Sequence, residues 1–410
     1  VTARPACRHA LVALVATVAV GVGVGIGVGV GVPGTVGAGA SQRRSAVSDR
    51  PLPTAPLASA LSMAAGTWVT LAMGRLQDPR NRFWQALVLP AGSTRWAVVT
   101  PPGVATNGGL VTTGASDPTT LVGFEPSQFL AFSPLATSSD AGRSWSQGTI
   151  DERLAPVPDS LALTPGGTGA ALVGTTSRTI LQSAGTDLSS WRPLATAPMV
   201  RSSPGSGPCG VGELTAVASV VPPPGPVLVG ASCARGAHVG ILEGSGTRWA
   251  MAGPTLPASL DVSGTSVLRL TAATGVLDAL VEARPASGGA HILLAAQRAV
   301  AGGAWTVSGA LRLGARATVI ATGFGARGTT EVVTRTGSIT DVASVRAGPG
   351  ARWRVRTAPA GSAVVAVTPS GTDAMVPRGA NLTVSALDPS SGTWTVAQRL
   401  HVPIEYGSSS

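Results

Sequence analysis

Seven of the nine tryptophans in this chain stand in one local setting, and their spacing constrains the fold more than any other feature. Each follows a turn of small or polar residues and opens a short apolar run. They read "GSTRWAVV" (Trp96), "GRSWSQG" (Trp145), "LSSWRPL" (Trp191), "GTRWAMA" (Trp249), "GGAWTVS" (Trp305), "GARWRVR" (Trp353) and "SGTWTVA" (Trp394). Successive intervals are 49, 46, 58, 56, 48 and 41 residues. A large ring returning at this period implies one supersecondary unit, used repeatedly, whose apolar face is buried by its neighbours.

The segments between the rings say what the unit is. From Leu214 to Gly253 the chain reads "LTAVASV", "PVLVGASC", "HVGILEG" and "TRWAMAG"; from Ala317 to Thr357 it reads "ATVIATG", "TEVVTRTG", "DVASVRAG" and "RWRVRT". Short Val, Leu and Ala runs between Gly, Pro and Ser turns are strand signals. Each unit then holds four strands, with Trp at the start of the fourth. No long stretch with helical periodicity follows residue 58. The expected fold is all-β: a β-propeller over residues 58–406, where radial repetition shelters strand edges. Its seven four-stranded blades would be 58–101, 102–150, 151–196, 197–256, 257–312, 313–360 and 361–406, with six or eight as alternatives. A pair of stacked β-sandwiches is the competing architecture, and it predicts no such Trp ruler.

The first forty residues read differently. Arg4 and Arg8 precede an uncharged run from Leu11 to Val32, which Pro33 and Gly34 break, and Ala38-Gly39-Ala40 offers small residues for cleavage. This basic, apolar, small-residue order is that of an export signal. The run is long enough to span a bilayer, which needs ~20 residues, so an uncleaved membrane segment is the alternative. Residues 41–57 are a Pro- and Ser-rich linker. The expected location is secreted or cell-envelope, outside the cytoplasm, with membrane contact only through residues 1–40 if they are retained.

Beyond Cys7 the chain has two cysteines, Cys209 and Cys233. An even pair in an exported chain reads as a disulfide, with two buried thiols as the alternative. His238, His291 and His401 are far apart and no pair has ligand spacing, so neither metal nor cofactor is expected. The formal net charge is +10, all basic side chains are Arg, and charged residues make up only 12%. The Ala, Gly, Arg and Val bias reads as GC-rich bacterial coding. Such a charge suits an anionic glycan, a cell-wall polymer or a protein partner. No basic run longer than Arg43-Arg44 supports nucleic-acid binding.

"SSDAGRSW" fills every position of a known pattern. Ser138, Asp140, Gly142, Ser144 and Trp145 resemble the Asp-box of sialidase-like (BNR-repeat) propellers. The carboxylate accepts turn N–H groups, Gly142 supplies a positive φ, and Trp145 buries its ring against the sheet. "SAGTDLSSW" (Ser183 to Trp191) is a partial copy. The resemblance implies a structural box between third and fourth strands, away from the central pocket. It also implies an Arg triad and a Tyr–Glu nucleophile in the enzymes, and here the sequence departs. There is no Arg-Ile-Pro, and the single tyrosine, Tyr406, has Glu405 beside it on the opposite strand face.

The chain therefore reads as a non-catalytic, monomeric binding or assembly module, with a divergent sialidase-like glycoside hydrolase as the alternative. Binding candidates lie in loops joining second to third strands, or unit to unit. These are Arg75, Asp78, Arg80 and Arg82 in "GRLQDPRNRFW", Asn107 in "TPPGVATNGGL", and Asp151, Glu152 and Arg153 in "IDERLAPVPD". A hydrolase requires two carboxylates ~5–9.5 Å apart in the central channel; a binding module does not.

Overall fold

The computed structural model describes residues 58–74, 82–101, 111–116, 119–124, 131–164, 167–219, 226–273, 275–325 and 328–402. The expected export segment 1–40, the linker 41–57, Arg75, Asp78, Arg80, Asn107, Glu405 and Tyr406 lie outside them.

The described chain is almost entirely strand, and it runs as consecutive antiparallel meanders. The first is β1 (Ala58–Met63), β2 (Gly66–Gly74), β3 (Arg82–Pro90) and β4 (Ala97–Val98). The second is β5 (Val111–Ser116), β6 (Thr119–Phe124), β7 (Ser133–Ser138) and β8 (Ser146–Ile150). The third is β9 (Leu161–Leu163), β10 (Gly169–Val173), β11 (Thr179–Ser183) and β12 (Trp191–Thr196), followed by a short helix, α1 (Ala197–Ser202). The fourth is β13 (Val211–Ser219), β14 (Val227–Cys233), β15 (Ile241–Ser245) and β16 (Arg248–Met251). The fifth is β17 (Val262–Ala273), β18 (Val276–Pro285), β19 (Ile292–Ala299) and a split last strand, β20 (Thr306–Val307) with β21 (Leu311–Arg312). The sixth is β22 (Thr318–Gly325), β23 (Thr329–Thr336), β24 (Ile339–Arg346) and β25 (Arg354–Thr357). The seventh is β26 (Val364–Thr368), β27 (Gly371–Arg378), β28 (Asn381–Leu387) and β29 (Trp394–His401).

Seven meanders make five hydrogen-bonded sheets among the described residues, because two ladders cross between units. β14 pairs with β17, joining the fourth and fifth units. β1 pairs in parallel with β22, Ala58 opposite Ala321 through Leu61 opposite Phe324, joining the first and sixth. Small side chains permit that second approach. A Cβ on Gly323 would stand 3.1 Å from the Cβ of Ala60. The first strands of the first and sixth units therefore pack directly on one another.

All seven ruler tryptophans fall at or within one residue of the start of a fourth strand, and four of their indoles donate from unit to unit. The Nε1–H of Trp305 donates to the Ala252 carbonyl in the preceding unit (2.6 Å), Trp353 to Gly309 (2.9 Å) and Trp394 to Thr357 (3.0 Å). Trp96 reaches the seventh unit. Its Nε1–H donates to Asp373 Oδ2 (2.8 Å), its backbone N–H donates to Gln398 Oε1, and Gln398 Nε2 donates back to its carbonyl. Together with one apolar cluster that mixes Leu71, Met73 and Leu87 with Val364, Met375 and Leu382, these bonds join the first unit to the last. Trp191 and Trp249 instead donate within their own turns, to Leu188 and Gly246.

As expected, Trp145 packs against its own sheet, on a cluster of Val122 with Trp84 of the first unit. The ring is half-buried and meets Trp68 of the first unit edge-on, centroids 6.2 Å apart. It too turns toward the preceding unit, because the turn before it is seated there.

Candidate functional site

The Asp-box turn forms as its residues require. The Ser138 hydroxyl donates to Asp140 Oδ1 (2.8 Å), and the Gly142 N–H donates to Ser138 Oγ (2.8 Å). The Ser144 N–H and hydroxyl donate to the two Asp140 oxygens (2.9 and 2.6 Å). The Ser144 hydroxyl, then its N–H and the Ser138 hydroxyl, hold the Asp140 carboxyl down at about 2. Gly142 has φ 81°, and a Cβ there would stand 2.6 Å from the Cβ of Val99 in the first unit. Two further turns use the same device. Asp187 takes Ser189, and Asp388 takes Ser390 and Ser391, each before a ruler tryptophan. All three turns join a third strand to a fourth.

A small cavity among the first strands of the third, fourth and fifth units has a volume of about 20 Å³, room for about one water molecule. One buried cluster fills the space beside it. Arg269 Nε in β17 donates to both oxygens of Asp159 (2.9 and 2.8 Å). Its Nη1 donates to Thr322 Oγ1 in β22 (2.7 Å), and the guanidinium lies 5.5 Å over the Phe324 ring. The Leu270 N–H donates to Asp159 Oδ2 (2.7 Å), and the Asp159 carbonyl accepts from Val217. Asp159, from the segment before β9, thus links the third unit to the fifth through its carboxylate and to the fourth through its carbonyl, and Arg269 extends the link to the sixth. Among the described residues lining this cavity, Asp159 is the sole carboxylate. The two-carboxylate arrangement expected of a hydrolase is not built there.

A larger cleft, about 370 Å³, opens between the fourth and fifth units. It lies where β13, β17 and β19 begin and where β14 and β18 end. That is the end of the strands where the 2–3 and unit-joining loops emerge. The β14–β17 ladder sets Ser232 opposite Ser266, and the β17–β18 ladder sets Ser266 opposite Glu282. Opposed residues of antiparallel strands share a face, so Ser232, Ser266 and Glu282 form one polar row. Two register shifts in β17 flank the row. A wall of the cleft is fixed by the Cys209–Cys233 disulfide, which overturns the free-thiol alternative. The Cys233 carbonyl passes Gly264 where a Cβ would meet it at 2.7 Å.

His291 lines this cleft, 7% exposed, with its Nδ1 hydrogen-bonded to Glu282 Oε1. Glu282 thereby fixes which ring nitrogen carries the shared proton. The other nitrogen, Nε2, is buried with no hydrogen-bond partner among the described residues. Buried polar atoms are nearly always satisfied, and an exception asks for a ligand or water. Glu213, Arg284 and the serines supply both acceptors and donors around the rim.

Four of the sequence-derived candidates lie in described residues. Asp151 and Glu152 are exposed, and Arg153 is half-buried with its carbonyl accepting from Gly174. Arg82 opens β3. Asp151, Glu152 and Arg153 line neither cavity above. Sequence reading missed Asp159, Arg269 and the Glu282–His291 pair. A signal existed for the last: an acid ending one strand and the single histidine opening the next, in "LVEARPASGGAHILL". Among the described residues, no group of three His, Cys, Asp or Glu gathers to hold a metal ion, and no helix is long and apolar enough to cross a membrane.

No protein-family model matches the chain, and no curated protein is significantly similar to it. Solved structures of similar shape exist. A candidate 6-phosphogluconolactonase from Bacteroides uniformis is 10% identical, with 82% of this chain and 97% of that one covered, at TM-score 0.47. The six-bladed propeller lectin of the fungus Aleuria aurantia is 12% identical, with 86% and 98% covered, at 0.40. An engineered GH43 glycoside hydrolase is 10% identical, with 86% and 92% covered, at 0.35. At such values these likenesses carry no functional argument. The class, a β-propeller, rests on the repeated four-stranded units and their packed first strands.

Proposed function

We propose that this chain is an exported, non-catalytic β-propeller of the bacterial cell envelope that binds a polyhydroxylated ligand, such as a glycan. The ligand site is the cleft between the fourth and fifth units. The carrying observation is the buried His291, locked at one nitrogen by Glu282 and unsatisfied at the other, on a surface of hydroxyls and paired charges. A fixed acceptor or donor among serines suits sugar hydroxyls, which need both. Export through residues 1–40, followed by a linker at 41–57, is part of this reading. The disulfide supports it, since such bonds persist in oxidising compartments. Arg75, Asp78, Arg80, Arg82, Asn107 and Asp151 to Arg153 stay in this reading as a separate set of binding candidates. The Asp-box turn supports distant kinship with sialidase-like propellers, without their chemistry.

Glycan-array screening followed by calorimetry tests this. Ser266→Tyr, which fills the cleft from its middle, is expected to weaken a glycan hit at least tenfold. Undiminished binding by that variant removes the cleft assignment, and turnover of a fluorogenic glycoside by the wild type establishes the hydrolase alternative instead.

A further inference from the structure

A second cleft, about 410 Å³, lies on the sixth unit at the opposite ends of the strands, beside the turn from β24 to β25. Its lining includes Arg346, Arg352 and Arg354 together with Thr329 and Ser344, and no acid. Strand register explains why the charges converge. Thr329 stands opposite Arg346, and Ser344 opposite Arg354. Thr329, Ser344, Arg346 and Arg354 therefore share one face of the sheet. The turn that carries Arg352 is tied at three points. Ala351 N–H donates to the Gly348 carbonyl, the Ala351 carbonyl accepts from Gly309, and Trp353, between two of the arginines, donates its indole N–H to Gly309.

Among the described residues, none of the three guanidinium groups has an ionic or hydrogen-bond partner. The nearest acid in the ladder, Glu331 opposite Ser344, is buried, and burial pushes its carboxyl up to about 8. It therefore adds no negative charge beneath the cleft at neutral pH. Guanidinium is weakly hydrated and its planar fork matches carboxylate, phosphate and sulfate oxygens. The volume is that of a small-molecule site rather than of a bare ion.

From the three unpaired arginines, the hydroxyls beside them and the missing acid, we infer that this cleft is a second binding site, for an oxyanion (phosphate, sulfate or carboxylate) carried on a sugar-sized group. It stands independently of the cleft between the fourth and fifth units.

The test is calorimetric titration with inorganic phosphate, a hexose 6-phosphate, a hexuronate and the uncharged hexose. Three variants are compared with wild type: Arg352→Gln with Arg354→Gln, Arg346→Gln alone, and a charge-matched control, Arg312→Gln with Arg316→Gln. The expected result is binding of at least one charged sugar, lost at least tenfold in the paired cleft variant and in Arg346→Gln, and retained in the control. Binding of inorganic phosphate as tight as the sugar phosphate, with the same variant pattern, supports the anion site and assigns its energy to the ion. Equal loss in the control, equal affinity for the uncharged hexose, or no binding of any charged probe by wild type overturns the inference. Arg346 lies on a different strand from the pair, so it decides the question if the paired variant does not fold.

Discussion

Glu331 offers a stability test whose size follows from its surroundings. It is 2% exposed in β23, at the boundary with the seventh unit, and its Oε2 has no hydrogen-bond partner among the described residues. Burial raises its carboxyl from 4.5 to about 8, against the opposing pull of the Val367 N–H. The folded chain thus keeps a proton that the unfolded chain releases near 4.5. Below pH 4.5 both states hold it and stability is unaffected. Between about pH 4.5 and 8 the unfolded state binds fewer protons, so stability falls by ~1.4 kcal/mol per pH unit, levelling off above 8 at about 5 kcal/mol in total. Glu331→Gln keeps an acceptor for Val367 and removes the titration. Other acids titrate in both proteins and cancel in the difference. With an unfolding entropy of ~2.1 cal/mol/K per residue, a propeller of this size gains on the order of 7 °C. Differential scanning calorimetry from pH 4.5 to 9 should show the variant's Tm advantage grow from near zero and then plateau. A pH-independent gap, or one that narrows as pH rises, refutes a neutral buried Glu331.

Two other expectations concern the joints between units. Arg269→Met leaves Asp159 buried without its cation and should lower unfolding free energy by about 3–5 kcal/mol in urea melts. Adding Asp159→Leu should restore part of that loss; a double variant no better than the single would show that the pair does not act as an ion pair. Trp96→Phe removes the indole donor from Asp373, whose carboxyl burial already raises, and should cost about 1–3 kcal/mol in the same melts. Trp394→Phe, whose acceptor is a backbone carbonyl at the surface, should cost less, and the reverse ranking would contradict the role of Trp96 in closing the ring.

The repeated use of one position gives these tests a common setting. Asp278 in β18, Glu331 in β23 and Asp373 in β27 all sit on second strands, and burial raises the carboxyl of each, Asp278 to about 6. Glu331 and Asp373 make their bonds to the next unit. Gln297 donates to Asp278 (2.8 Å), and both lie against Gly328 of the sixth unit. Ionising these acids as pH rises weakens three consecutive boundaries, so the fold is expected to be more stable in mildly acidic than in alkaline solution.

What the sequence determined by itself is local. The tryptophan ruler, the turn that Ser138, Asp140 and Gly142 close, and the four-strand rhythm are written in neighbouring residues. Backbone preference and side-chain period act over a few positions, so such features survive without knowledge of the whole. The Cys209–Cys233 pair was legible for the same reason, being the last two cysteines left to join. What only the tertiary structure decided is which units touch at the centre and what their shared faces enclose. Asp159 meets Arg269 from 110 positions away, and β1 lies against β22 because small residues there let these two first strands approach. The open, chemically equipped surfaces lie away from that contact. One lies at the boundary of the fourth and fifth units, where Glu282 holds His291, and one at the edge of the sixth, where three arginines meet no acid. No local pattern fixes these meetings, because the distance between strands of different units depends on every side-chain volume around the ring.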